Sequence, residues 1–177
     1  VVLVSDHAPA PGWTQRAAAE GLDSVLTLGF PTMGRAPEAQ GGATRLVALK
    51  AVERGYPLRG RLRLAQHAQD RAGTPTDAVP ASGQVWVDPS LLEALALRRG
   101  DTLLLGDSAL RITELIALEP DRGTGFMSFA PRVLMNAADL PATGLVQPAS
   151  RITWRLALAG PEPAVQRYRA WAEAELA

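Results

Sequence analysis

The residue types used in nucleophilic catalysis stand together once in this chain, at Ser5, Asp6 and His7. A catalytic triad needs side chains that converge from separate chain segments, whereas adjacent residues at a strand end point in different directions. The only other histidine, His67, lies at the edge of a polar stretch, where solvation is its ordinary state. A small hydrolase that uses Ser5, Asp6 or His7 is therefore a weak hypothesis.

A metal site would have to be built mostly from carboxylates, because the chain contains two histidines and no cysteine. The acidic candidates lack the spacing of an EF-hand loop or a facial triad. These candidates are Asp101, Asp107, Glu114, Glu119 and Asp121. The glycine-rich stretch RGTGF at 122–126 also lacks the dinucleotide-binding and phosphate-loop patterns. We therefore expect no metal and no cofactor.

Large apolar side chains crowd that glycine-rich turn. Phe126, Met127 and Phe129 follow Gly125 closely, and such groups are either folded under the loop or exposed for contact. We keep these three residues as candidates for contact with lipid, a client molecule or a partner protein.

A second set of contact candidates is the arginine strip, which consists of Arg59, Arg61 and Arg63. If the strip is a strand, period-two alternation places the three arginines on one face. One possibility is that this face is solvated. The other is that it contacts acidic residues of a neighbouring domain or lipid headgroups, and arginine makes such contacts better than lysine. A nucleic acid partner is not supported, because 18 basic residues are offset by 18 acidic ones.

The elements that position these residues can be read from periodicity and turn residues. Strands are predicted at 1–6, 24–33, 44–53, the arginine strip, 84–87, 102–105, 109–117 and 151–160, with Pro31 ending the second. Helices are predicted at 11–22, at 89–97 with Asp88 as N-cap, at 131–138, and at the end of the chain. Each tryptophan falls on an apolar face, which favours core packing for Trp13, Trp86, Trp154 and Trp171.

This element order predicts an α+β fold of two lobes. The chain ends supply strand–helix–strand and strand–helix, which together can complete one discontinuous lobe, and the middle supplies a small inserted lobe of mixed, β-rich structure. A composition of 47% hydrophobic and 20% charged residues is typical of a globular protein. No apolar run approaches the roughly 18–20 residues that span a bilayer.

Several motifs resemble a known family in their order along the chain. They are VALKAVERGYPLRGRLRLA at 47–65, the block that runs from SGQVWVDPSLLEAL at 82–95 to the hairpin at 102–117, and PRVLMNAADLPATGLV at 131–146. They look like the first large periplasmic region of FtsX-like ABC transporter permeases, a MacB-type core domain. The YbbP-like permeases, which are linked to a lysophospholipase/thioesterase-type esterase, are the most similar subgroup.

The resemblance implies a Porter-like lobe at 1–52 plus 152–177 and a Sabre-like lobe inserted at 53–151. It also implies membrane helices before Val1 and after Ala177, which would make the chain a periplasmic segment of a bacterial inner-membrane protein. The implied partners are a cytoplasmic ATP-binding subunit, a second periplasmic domain of the permease, a hydrophobic client and a periplasmic esterase. The family has no catalytic residues to transfer to this chain.

Two functions remain open from sequence. The leading hypothesis is a non-catalytic periplasmic domain that takes part in mechanotransmission and in extraction or handover of a lipid or other hydrophobic client. The alternative is a module that docks a periplasmic esterase or adaptor without transmitting force.

Overall fold

Strands distributed along the whole chain pair into one mixed sheet. A computed structural model describes residues 1–122 and 129–177. The strands are β1 Val2–Ser5, β2 Asp23–Arg35, β3 Thr44–Val52, β4 Leu62–Ala65, β5 Thr74–Thr76, β6 Gln84–Val87, β7 Thr102–Leu105, β8 Ser108–Leu118, β9 Arg132–Asn136 and β10 Thr153–Ala159. Across the sheet the order is β1, β10, β2, β3, β9, β6, β8, β4, β5, while β7 pairs with β2 and β8.

Helices complete the expected α+β class, which is confirmed. They are α1 Pro11–Ala19, α2 Pro89–Leu95, α3 Leu140–Thr143 and α4 Glu162–Leu176. Helices α1 and α4 pack over β10, where Tyr168 and Ala172 are buried against Leu156. The Tyr168 hydroxyl donates a hydrogen bond to the Trp13 carbonyl at 3.0 Å, and the Trp13 and Trp171 rings pack edge-on at 4.9 Å. Within the described ranges, no helix has the length and hydrophobicity needed to cross a membrane.

Strand β3 joins the strands of the chain ends to the inserted strands. It pairs antiparallel with β2 and parallel with β9, in a register that runs from Ala48 opposite Arg132 to Val52 opposite Asn136. Because β3 has neighbours on both sides, every residue from Val47 to Val52 is buried. The lobe boundaries at 52/53 and 151/152 stay a prediction, since one sheet and one large hydrophobic cluster include residues from both sides of each boundary.

The two faces of the sheet differ in what covers them. The helix face carries the main hydrophobic cluster and the cluster under α1 and α4. The opposite face, which we call the loop face, carries Thr27, Lys50 and Arg155, because Arg155 lies opposite Thr27 and Lys50 lies opposite Gly29. A smaller hydrophobic cluster on the loop face includes Tyr56, from the segment that connects β3 to β4.

The helix predicted at 131–138 was wrong, because these residues form β9 and then a 3-10 turn at Ala137–Asp139. β9 pairs with β3 on one side and β6 on the other, and its first four residues are all buried. Leucine and methionine favour helices only weakly, so pairing on both sides of β9 overrides that preference. Pro141 lies in the first turn of α3 and does not end a helix there.

The prediction that Pro31 ends its strand was also wrong, since β2 continues to Arg35. Pro31 lies opposite Ala48, whose N–H donates to the Pro131 carbonyl on the far side of β3. The two residues therefore form a non-hydrogen-bonded pair, and the missing N–H of Pro31 faces away from β3. On that side β10 reaches only as far as Thr153 opposite Gly29, so no ladder bond is lost.

The strand predicted for the arginine strip begins later than expected, at Leu62. Arg59 and Arg61 precede it, and only Arg63 belongs to the strand. Gly60 has φ +73°, a left-handed conformation that favours glycine, and a Cβ there would lie 2.9 Å from Pro120. The strip thus begins in a turn, and its three arginines do not share one strand face.

Candidate functional site

A lysine lies in the buried half of β3. Lys50 is 5% exposed, and its ammonium group donates to Glu119 at 3.0 Å, to Asp121 at 3.1 Å and to the Tyr56 hydroxyl at 3.0 Å. Arg132, from β9, donates to the other oxygen of Glu119 at 2.8 Å. We call Lys50, Tyr56, Glu119, Asp121 and Arg132 the charge cluster.

Tyr56 closes the charge cluster from the loop side. Its hydroxyl accepts from Lys50 and donates to the Asp121 carboxylate. Burial, followed by the negative charges of Glu119 and Asp121, raises the pKa of Tyr56 far above its ordinary value. All three ammonium protons of Lys50 have acceptors, so the cluster is suited to fixing geometry.

A further ion pair extends the charge cluster toward α2. Arg122 binds the Asp88 carboxylate with two guanidinium nitrogens, at 3.1 Å and 2.5 Å, and this bond raises the pKa of Arg122. The same carboxylate accepts the backbone N–H of Arg132 at 2.8 Å. Asp88 precedes Pro89 at the start of α2, as predicted, but its side chain makes no capping bond. Its carboxylate instead ties α2 to β9.

Three members of the charge cluster, Lys50, Asp121 and Arg132, line a surface cavity of about 360 Å³ on the loop face. We call this the basic cavity, because its charged lining comprises five cationic side chains and one carboxylate. They are Lys50, Arg122, Arg132, Arg151 and Arg155, with Asp121. The remaining lining comes from the middle of β2 and from Thr153.

An apolar groove of about 130 Å³ adjoins the basic cavity. Thr27, Asp121 and Arg155 line both, so the two are continuous. We call this the loop-face groove, and the rest of its lining is Val1, Val2, Val25, Tyr56, Pro57, Leu58, Arg59, Ala157 and Leu158. Apart from the shared residues, it is mostly hydrocarbon.

A third cavity, of about 260 Å³, lies at the β1 edge on the helix side. We call it the edge cavity. Its lining is almost entirely apolar and comes from β1, β10, the turn before α1 and the end of α4. Those residues are Leu3, Val4, Ser5, Ala8, Pro9, Ala10, Trp13, Trp154, Leu156 and Leu176. Leu176 is 70% exposed and Val4 is 59% exposed, so the cavity opens onto an apolar rim.

The predicted contact residues are dispersed. Phe126 and Met127 lie outside the described residues, and Phe129 is 87% exposed. Arg59 lines the loop-face groove. Arg61 and Arg63 make local contacts, and the role predicted for all six residues stays a prediction.

Local partners explain how the last two arginines are held. Arg61 pairs with Asp77 at 3.0 Å in solvent. Arg63 donates to the carbonyls of Ala72 and Gly73 at 2.6 Å and 3.4 Å, which fixes the loop before β5. Both side chains therefore brace the β4–β5 hairpin.

Ser5, Asp6 and His7 do not converge on a triad. The Ser5 hydroxyl accepts a hydrogen bond from the backbone N–H of His7, and the imidazole of His7 contacts Asp6 with both side chains 83% exposed. A triad would need the imidazole to face the serine hydroxyl. Among the residues with described placement, no group of three or more histidine or acidic side chains could hold a metal ion.

The charge cluster and the basic cavity were missed by the sequence reasoning. Glu119 and Asp121 were considered only as metal ligands, and Lys50 was not considered as a site residue. The available signal was the single lysine of the chain, in the middle of the apolar run LVALKAV. A charge at that position of a buried strand must have partners, because an unpaired charge is too costly to bury.

The chain is similar in sequence to part of a known permease. No protein-family model matches the chain. Over 169 residues, 96% of its length, it is 37% identical to the uncharacterized ABC transporter permease YbbP of Escherichia coli (strain K12). The chain spans 19% of the length of that permease.

Solved structures of transporter domains also match the chain. The extracellular domain of the noncanonic ABC-type transporter YknZ from Gram-positive bacteria matches with a TM-score of 0.58 and 11% identity, over 95% of this chain and 88% of that one. The periplasmic region of MacB from Actinobacillus actinomycetemcomitans matches with a TM-score of 0.49 and 13% identity, over 98% of this chain and 83% of that one.

The sequence match and the structural match support descent and fold, respectively. An identity of 37% across nearly the whole chain indicates common descent with the permease, and the YknZ match gives the fold independently. The resemblance to FtsX-like permeases of the YbbP type is confirmed. The chain is homologous to one segment of an ABC transporter permease and has the fold of the extracellular domain of the transporter YknZ.

Proposed function

We propose that the chain is a non-catalytic periplasmic domain that transmits movement of the permease to a lipid or other hydrophobic client and takes part in its extraction or handover. ATP hydrolysis belongs to a separate cytoplasmic subunit, coupled through the membrane helices of the same permease. The observation that carries the proposal is the continuity of the sheet. Strands from both chain ends and from the inserted segment share one set of backbone hydrogen bonds.

Continuity of this kind favours transmission because a hydrogen-bonded sheet deforms little along its strands. β1 and β10 are neighbours near the two ends of the chain, and β3 carries the ladder on to β9. The buried ion pairs of Lys50 with Glu119 and of Arg132 with Glu119 connect β3 to the segment after β8 through side chains as well. A displacement applied at β1 or β10 would therefore move the inserted strands.

The edge cavity supports the client part of the proposal. It is apolar, it opens onto the exposed side chains of Val4 and Leu176, and it lies between two helices and the edge of the sheet. Concave apolar sites of this size suit part of a hydrocarbon chain. Phe129, exposed on the protein surface, is a further proposed contact for the client or for a docked partner.

The test is to fill the edge cavity in the full-length permease. Ala10 is exposed at the cavity, just before α1, so Ala10→Trp blocks the cavity without entering the core. ATP-dependent release of a hydrophobic probe from membranes that contain the permease and its ATPase should fall, while ATP hydrolysis continues. Ala19→Trp, at an exposed position at the end of α1, is the matched control.

Transmission is tested separately by replacing the domain with a flexible glycine–serine linker. We expect ATP hydrolysis to persist and ATP-coupled release to be lost. If release continues at the original rate without the domain, the transmission proposal is refuted. If the linker abolishes release but Ala10→Trp does not, the client site lies elsewhere.

A further inference from the structure

We propose that the loop face binds an amphiphile with an anionic, phosphate-type headgroup, which occupies the basic cavity while the hydrocarbon chain lies in the loop-face groove. This inference goes beyond the proposed function in two ways. It concerns the face opposite the helices, and it specifies an anionic headgroup, which the proposed handling of a hydrophobic client does not require. It stands on three observations: the charge balance, the ion pairing and the continuity of the two surfaces.

The charge balance of the basic cavity is positive in a chain whose net charge is zero. Five cationic side chains line it, whereas the carboxylates that line it or pair directly behind it are Asp121, Glu119 and Asp88. The surplus is two positive charges. The six residues outside the described ranges, GTGFMS at 123–128, contain no acidic side chain that could offset this surplus.

Ion pairing divides the five cations into two sets. Lys50, Arg132 and Arg122 are held by carboxylates and form a fixed floor. Arg151 and Arg155, at the rim, have no carboxylate within ion-pair distance in the described parts of the chain. Guanidinium groups bind phosphate oxygens with two parallel hydrogen bonds, which makes an arginine pair at a rim suited to a phosphate headgroup.

The apolar groove beside the basic cavity favours an amphiphile over a free anion as the ligand. Val2, Val25 and Ala157 present hydrocarbon directly beside Arg155, which lines both surfaces. Val2 is 48% exposed on the edge strand of the sheet. A small anion would leave this apolar surface uncovered, whereas an alkyl chain attached to the headgroup would bury it. A polyanion is disfavoured by the zero net charge of the chain.

Binding of amphiphiles to the purified chain tests this proposal without a transport assay. A negative binding result would therefore contradict this proposal and leave the proposed function untouched. The probes, used below their micelle-forming concentrations, are dodecyl phosphate, dodecyl maltoside and inorganic phosphate. Titration calorimetry should give the tightest binding for dodecyl phosphate. The neutral headgroup and the chainless anion should each bind at least about tenfold more weakly, because each lacks one half of the contact.

The decisive variant is Arg151→Gln with Arg155→Gln, which removes both rim cations and leaves the buried pairs intact. Dodecyl phosphate affinity should fall by at least about tenfold, as expected for lost charge-assisted hydrogen bonds. The matched control is Arg45→Gln with Arg111→Gln, two exposed strand arginines that line neither surface, and it should bind as the unchanged chain does. Far-UV circular dichroism and urea midpoints confirm that both double variants are folded.

A second pair of variants tests the groove. Val2→Ser should weaken the binding of dodecyl phosphate but not of inorganic phosphate, and Val146→Ser, at an exposed position outside the groove, should change neither. Equal affinity for dodecyl phosphate and dodecyl maltoside would overturn the assignment of an anionic headgroup. Equal affinity for dodecyl phosphate and inorganic phosphate would overturn the assignment of a hydrocarbon chain to the groove. Equal losses in the two arginine double variants would show that binding follows net charge alone, and would also overturn the proposal.

Discussion

Among single residues, Lys50 holds together the buried polar groups of this domain. A charge removed from water is costly unless its partners are well placed, and here three acceptors lie within 3.1 Å of the ammonium group. The arrangement keeps Tyr56 and the 119–121 segment against β3, and so shapes the floor of the basic cavity. Removing Lys50 takes from Asp121 its ion-pair partner within the described residues and from Glu119 one of its two.

We therefore expect Lys50→Met to lower the free energy of unfolding by about 3–5 kcal/mol, the cost of breaking a buried ion pair from one side. Arg61→Gln removes an exposed pair with Asp77 and should cost about 0–1 kcal/mol. Urea unfolding followed by circular dichroism measures both. Similar costs for the two variants would mean that the charge cluster contributes no more than a surface pair.

Tyr56 makes the stability of the domain depend on pH in the alkaline range. Burial, and then the charges of Glu119 and Asp121, raise the pKa of Tyr56, so the native state keeps its phenolic proton where the unfolded chain releases it. Its contribution to stability is thus complete below about pH 10, the ordinary tyrosine pKa, and is lost as the pH rises further.

Comparison with Tyr56→Phe isolates this effect. Above about pH 10, the difference in unfolding free energy between the original chain and Tyr56→Phe should shrink by about 1.4 kcal/mol per pH unit. Below that pH the difference should be constant. Urea unfolding at each pH measures this difference in unfolding free energy. If the difference stays constant above about pH 10, the pKa of Tyr56 is not raised in the folded state.

The elements show how far sequence reasoning reaches. The β2–β3 hairpin, β6, the β7–β8 hairpin and the closing helix follow from alternation, turn residues and apolar periodicity, and all were predicted in nearly their observed positions. β9 was not, because RVLMN has no alternation to reveal a strand buried on both faces, and such a run resembles a buried helix in sequence.

The candidate site was less predictable than the fold. Its residues come from β2, β3, β9, β10 and the segment after β8, which are far apart in sequence and meet only through the sheet order. The parallel pairing of β3 with β9 is what brings Lys50 near Arg132. No local pattern specifies that pairing, so the sequence indicated a buried charge at most, and not its partners.

Turn geometry gives a prediction at this scale. Gly106 begins the β7–β8 turn at φ +54°, and a Cβ there would overlap the Thr143 carbonyl, which accepts the N–H of Asp107 at 2.9 Å. Gly106→Ala should therefore lower the unfolding free energy by about 2 kcal/mol or more, through left-handed strain and displacement of α3.

Gly12 provides the matched control for that substitution. It lies in the first turn of α1, and a Cβ there would have nothing within 4 Å. Gly12→Ala should be neutral or stabilising by up to about 1 kcal/mol, because alanine favours the helix. Thermal unfolding monitored by circular dichroism distinguishes the two, and equal effects would contradict the crowding at Gly106.

For the molecule as a whole, the shared sheet raises the question whether the two predicted lobes are stable separately. The main hydrophobic cluster contains Phe30 and Leu49 from the chain ends together with Val85, Leu91 and Met135 from the inserted segment. Removing either set would expose the apolar surface of the other and leave β3 or β9 with an unpaired edge. The cluster under α1 and α4 belongs to the chain ends alone, but the main cluster is shared between the two predicted lobes.

We therefore expect one cooperative unfolding transition for the 177-residue chain. The tryptophans allow the test, since Trp86 lies in the inserted segment, whereas Trp13 and Trp171 lie in the α1–α4 layer. A variant with Trp86 as the only tryptophan and a Trp86→Phe variant should each give coincident urea midpoints by fluorescence and circular dichroism. If fluorescence and circular dichroism gave two different urea midpoints within one variant, the two lobes would unfold independently. The sheet would then not be a single stable unit that passes a displacement from the chain ends to the inserted strands.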